Sequence, residues 1–161
     1  MPPILIRLNE ALYEVTFLRR LSRFMVEVKL NGRRVLAHLP NSGRLLTALV
    51  PGSRAYIRKR GVEGASRYTL FATCPRQIPI IVDAGFANRV TRRMIDQRLL
   101  PPLEGFQVLR ENVRVNRSIL DFLLEGGGQR LYLEVKSVSH VINGVAMFPD
   151  APTLRGRRHL K

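Results

Sequence analysis

The chain has 161 residues, 45% of them hydrophobic, enough for one ordinary domain or two small ones with a buried core. Its 27 Lys and Arg against 12 Asp and Glu give a net charge of +15, and 23 of those 27 are Arg. A single cysteine, Cys74, excludes an internal disulfide framework and a CxxC-type zinc site, and no apolar run approaches the ~20 residues of a membrane helix.

Guanidinium forks match phosphate oxygens in pairs and stack on bases. The charge excess therefore reads as a polyanion-binding surface, nucleic acid first, with a plainly solvated Arg-rich surface as the alternative. The start, MPPILIRL, is too short and too soon interrupted by Arg7 for a signal peptide. With one cysteine, that sets the expected location in the cytoplasm, and no membrane partner is expected.

The N-terminal half reads as short strands divided by turn signals. Tyr13–Leu18, Arg23–Leu30 and Arg33–Leu39 alternate or run apolar. Asn31-Gly32 between the last two is a two-residue hairpin signal, because both central positions need positive φ. Ser53–Lys59 and Tyr68–Ala72 complete about five strands at near-regular spacing, the pattern of a small β-barrel. Residues 1–82 carry 14 basic and 4 acidic residues, a net of +10.

From Asp83 the period changes. Phe86, Val90, Met94, Ile95 and Leu99 predict a helix over Ala84–Leu100, stopped by Pro101-Pro102. Two strand-like runs follow, Val113–Leu124 and Leu131–Val138, joined by Glu125-Gly126-Gly127-Gly128. A second helix is expected from Asp150 or Ala151. The reading is thus an α+β chain: a basic β-rich module over 1–82, then an α/β module over 83–161.

Chemistry concentrates in the second module. Alternation along a strand sends Glu134 and Lys136 to one face and Leu133 and Val135 to the other. A hairpin partner can bring Asp121 beside them. Two carboxylates suit Mg²⁺ or Mn²⁺, and a neighbouring Lys can orient a water or offset charge on a phosphate. Aspartate, then about a dozen residues, then E-x-K is the order of the PD-(D/E)xK nucleases. The same E-x-K also occurs as a plain salt-bridged strand pair. An aspartate in an otherwise apolar strand argues for a role, since a buried carboxylate without partners is costly.

Glu134-Val135-Lys136-Ser137-Val138 and the run from Phe148-Pro149-Asp150 through Arg155-Gly156 to His159-Leu160 resemble the sugar fermentation stimulation protein A family. So do Pro40-Asn41-Ser42-Gly43, Ala87-Asn88-Arg89-Val90 and Arg23-Phe24, all in the family's order. The resemblance implies an N-terminal OB-like β-barrel followed by a PD-(D/E)xK nuclease-like domain, with DNA binding and regulation of sugar-utilisation genes. It puts Asp121, Glu134 and Lys136 on the catalytic positions, Asp121 and Glu134 on the metal positions, and Asp150, Arg155 and His159 on downstream acidic, arginine and histidine positions. Ile119 departs from the family, which often has a basic residue there. The family also continues beyond this segment, so the chain is expected to be C-terminally incomplete.

Further candidates are weighed against plainer roles. Asn88 and Arg89 could meet phosphate near a helix start, or cap the helix. Asn41 could touch substrate, or shape a turn. Arg58, Lys59 and Arg60, with Tyr56 and Tyr68, suit a surface that stacks bases and tracks phosphates, or a charged turn. Arg23 joins that nucleic-acid-binding set. Cys74 reads as a packed residue, and His38 as a structural one. The expected function is a DNA-binding protein with a Mg²⁺- or Mn²⁺-dependent nuclease site. The alternatives are a non-catalytic DNA-binding regulator on the same scaffold and, third, an RNA-directed protein. Strand preference and oligomeric state carry no signal in the sequence.

Overall fold

The computed structural model of the protein describes residues 7–61, 64–142 and 145–147. Contacts divide it into two units, one holding residues 8–85 and the strand pair after residue 138, the other holding residues 86–137.

The first unit realises the expected strands as β1 (Leu12–Ser22), β2 (Met25–Leu30), β3 (Arg33–His38), β4 (Arg54–Lys59) and β5 (Tyr68–Cys74), with a short β6 (Ile80–Ile81). Their order is β3-β2-β1-β4-β5-β6, and a parallel pairing of β3 with β5 closes the five main strands into a barrel of the OB type. Strand β1 serves both β2 and β4, and register shifts between Phe17 and Arg19 and between Arg20 and Ser22 bend it to do so. Inward positions alternate as the sequence requires: Val15 and Phe17, Val26 and Val28, Ala55 and Ile57 all lie in one buried cluster with Leu39 and Leu70. Each large member contributes about 1.5–3 kcal/mol by leaving water. The Asn31-Gly32 hairpin forms as expected, with φ of 48° and 80°. Cys74 is buried.

One arginine ties the barrel's loops together. Arg20 donates from Nε to the Ser22 carbonyl, from one terminal nitrogen to Gly43 and Arg44, and from the other to Arg23 and Asn41. Every N–H of the fork thus meets a backbone carbonyl. Burial, and then the nearby Arg23, lower its pKa, but a guanidinium remains charged.

The last described strands, β10 (His140–Ile142) and β11 (Val145–Met147), pair antiparallel and count with this first unit. Thr47 Oγ1 donates to the Ser139 carbonyl at 3.5 Å and lies 3.3 Å from His140 Nδ1. The second helix expected from Asp150 or Ala151 lies outside the described residues.

The second unit is built on helix α1 (Ala84–Asp96) and an antiparallel sheet of β7 (Gln107–Val115), β8 (Ser118–Gly126) and β9 (Gln129–Leu133). The helix ends earlier than Leu100. Arg98 adopts φ 56°, its amide bonds Ile95 and the Leu99 amide reaches back to Met94, a Schellman ending with Arg where Gly is usual. Holding a side chain in that conformation is unfavourable by roughly 1 kcal/mol. Arg98→Gly is therefore expected to raise stability by about 0.5–1 kcal/mol, read as a higher denaturant midpoint at unchanged slope.

The run expected to continue from Val113 to Leu124 is instead folded back at Asn116-Arg117. Val115 pairs with Ser118 across that turn, and Asn116 takes φ 52°. The glycine hairpin forms as expected, with Gly127 at φ 56° and Gly128 at 73°. Gly126 is required for another reason, since a Cβ there would collide with the Gly105 carbonyl. Ile95, Phe122 and Leu124 form the buried centre, packed by Phe106, Leu133 and Val135.

Candidate metal centre and nucleic-acid interface

Strands β8 and β9 pair with Phe122 opposite Leu133. The ladder ends there: β9 stops at Leu133, short of the Val138 expected from the sequence, and Glu134 and Lys136 follow in extended chain beyond it. Phe122 is buried in the core, with Leu133 and Val135 packed against it. The Lys136 ammonium bonds Glu134 Oε1, and the Glu134 side chain is 19% exposed.

The Asp121 carboxylate is fixed at both oxygens. Oδ1 accepts from Asn88 Nδ2 at 2.7 Å, and Oδ2 accepts from the Val135 amide at 2.7 Å. That amide lies between Glu134 and Lys136, so the carboxylate takes over a ladder position where β9 ends. Asn88 reaches it from the second turn of α1, where its side chain orients Asp121. Arg89, next to it, is exposed and stacks its guanidinium 5.2 Å from the Phe86 ring centre. Sequence reasoning missed the Val135 amide, which no side-chain pattern announces.

Oxygen donors of this kind fit a hard divalent cation, since each Asp121 oxygen keeps a lone pair after its single hydrogen bond. Among the described residues no group of three His, Cys, Asp or Glu comes together. Asp150, Arg155 and His159 lie outside the described residues.

The first unit handles its candidates differently. Arg58 grips both oxygens of Glu10 at 2.9 and 2.8 Å and Asp83 Oδ2 at 2.8 Å, and its side chain is only 18% exposed. Asp83 also accepts from the Gly85 amide at 3.1 Å, capping α1. Arg58 is thus a buckle between two acids. Lys59 holds its ammonium 5.7 Å from the Tyr13 ring, and Arg60 receives the Arg67 carbonyl on its amide. Asn41 donates to the Val82 carbonyl at 3.2 Å and accepts from the Gly43 amide at 2.9 Å, so its amide group shapes the loop. Arg23 lies in the β1–β2 turn, over Phe24.

Residues 18–82 match the family profile of the SfsA N-terminal OB domain, and residues 85–161 that of the sugar fermentation stimulation protein RE domain. The sugar fermentation stimulation protein homolog of Moorella thermoacetica is 37% identical over 160 residues, which cover 98% of this chain and 69% of the relative. This chain belongs to the sugar fermentation stimulation protein family. The family homolog of Chloroflexus aggregans is 39% identical over 93% of this chain, and the match spans 58% of that relative's length. Among solved structures, Pyrococcus furiosus SfsA in complex with Ca²⁺ superposes with a TM-score of 0.89 at 32% identity, covering 97% of this chain and 67% of that one. Among the described residues, no helix is long and apolar enough to cross a membrane.

Proposed function

We propose that this chain is a cytoplasmic DNA-binding protein with a divalent-metal phosphodiesterase site, residues 1–82 gripping nucleic acid and residues 83–161 carrying the chemistry. The observation that supports it is that the Val135 amide, between Glu134 and Lys136, bonds the Asp121 carboxylate, with Lys136 bonded to Glu134. The net charge of +15 supports a polyanionic substrate, and the Ca²⁺ in the solved relative supports a hard cation.

Asp121 and Glu134 would hold Mg²⁺ or Mn²⁺. The bound ion would supply an acidified water and would offset charge on the phosphate. Asn88 and the Val135 amide lock the Asp121 carboxylate, so its remaining lone pairs are aimed before any ligand arrives. Lys136, held beside Glu134, is the group that can orient a water or stabilise negative charge on a reacting oxygen.

The test is cleavage of single- and double-stranded DNA with Mg²⁺ or Mn²⁺. Product is expected to vanish on chelation and to fall about a hundredfold or more in Glu134→Ala, since the ion is worth several kcal/mol. Cleavage indifferent to both would overturn the reading. Salt-sensitive binding without any cleavage would also overturn it, in favour of a non-catalytic regulator on the same scaffold.

A further inference from the structure

The β1–β2 turn consists of Arg23 and Phe24, between the paired Ser22 and Met25. Phe24 is 44% exposed. It is nevertheless held. The Phe24 carbonyl accepts from the Leu39 amide at 2.9 Å, and the ring stacks on His38 with centres 6.4 Å apart and planes 28° apart. Arg23 carries its guanidinium 5.3 Å from the ring centre, and its own carbonyl is bound by Arg20.

The register of β1, β2 and β3 says what surrounds that ring. Val26, Val28 and Ala37 turn into the core, so their neighbours turn outward. The outward rows pair Met25 with His38, Glu27 with Leu36 and Lys29 with Arg34. An apolar lane of Met25, Leu36 and His38 therefore runs beside Phe24. Arg19 and Arg34 rim it, with side chains 63% and 71% exposed, and both lean on Glu27.

An exposed flat ring with cations along its edge is the surface that stacks a base while tracking phosphates. A duplex hides its base faces; a single strand offers them. In OB barrels, strands 2 and 3 and the loop joining strands 1 and 2 form an oligonucleotide face. We infer that the Phe24–His38 platform on the outer β2–β3 face binds single-stranded DNA by stacking a base on Phe24. This rests on the proposed DNA-binding function and moves the grip away from Arg58, whose fork is closed on Glu10 and Asp83.

The chain has no tryptophan, so Phe24→Trp supplies a lone indole at the platform, excited apart from the four tyrosines. Its emission is expected to be quenched by oligo(dT). In the full chain, Phe24→Ala is expected to weaken oligo(dT) binding roughly tenfold or more, at matched salt, and to change duplex binding less than twofold. The exposed ring can be truncated with the fold intact, which the melting temperature checks. Binding of oligo(dT) by Phe24→Trp without quenching would overturn the platform. So would equal loss for duplex and single strand, tighter binding of oligo(rU), or equal competition by base-free polyphosphate. If the wild-type chain binds no DNA of any kind, the DNA-binding reading falls with the platform. If it binds and only the Phe24 variants behave like wild type, the platform alone falls.

Discussion

Asp121→Asn is expected to abolish cleavage and also to destabilise its unit by about 1 kcal/mol. The substitution looks isosteric, but both Asp121 oxygens accept from donors, Asn88 Nδ2 and the Val135 amide. An amide has one oxygen. With Asn88 as it stands, either orientation of Asn at 121 sets an NH₂ group against another donor; Asn88 must turn its amide over, offering Oδ1 to the new NH₂, and the bonds that re-form have lost their charge. Adding Asn88→Asp is expected to restore most of the stability, because the amide of residue 121 can then donate to the new carboxylate and still accept from Val135. Cleavage is expected to stay lost, since the carboxylate has moved onto the helix. Denaturant unfolding and cleavage assays on the two singles and the double separate the two roles. A double variant no more stable than Asp121→Asn would mean that Asn88 does not act through this bond.

Arg20→Ala is expected to lower stability by about 2–4 kcal/mol. Its loss strips donors from the carbonyls of Ser22, Arg23, Asn41, Gly43 and Arg44 in one stroke. For a chain of this size the melting temperature should fall by roughly 5–12 °C. Arg20→Lys is expected to rescue little, because an ammonium cannot fork across carbonyls on several sides. A Lys variant that melts with wild type would show that charge, and not the planar fork, is what the loops need.

Much of the architecture is legible in the sequence, and the reasons are local. Asn31-Gly32 and Gly127-Gly128 permit positive φ at both central positions, so their hairpins could be read directly. The hairpin brings Asp121 to the Glu134–Lys136 segment, as its Val135 bond shows, although the strand expected to continue to Val138 stops at Leu133. What escaped reading is what depends on partners far along the chain. The turn at Asn116-Arg117 has no glycine and interrupts a run that looks continuous. The helix stops at Asp96 because Arg98 takes a conformation that its identity does not advertise. Arg58 looks like a solvated cation beside Lys59 and Arg60, yet Glu10 and Asp83 close on it from distant positions. Asn41 looks like a turn residue or a ligand contact; the first of these accounts for its bonds. Phe24 belonged to a recognisable dipeptide, but only the register of β2 and β3 reveals the surface around it.

The barrel is closed by just two facing pairs, Ala37 with Tyr68 and His38 with Thr69. Such a short seam between segments distant in sequence is the natural place for a ring to part, because few ladder bonds hold it and its closure carries a loop entropy. His38 is one side of that seam and also the ring beneath Phe24. Its pairing with Met25 and its stacking under Phe24 lie on the opposite side from Thr69, so the platform is expected to outlast an opening of the ring there.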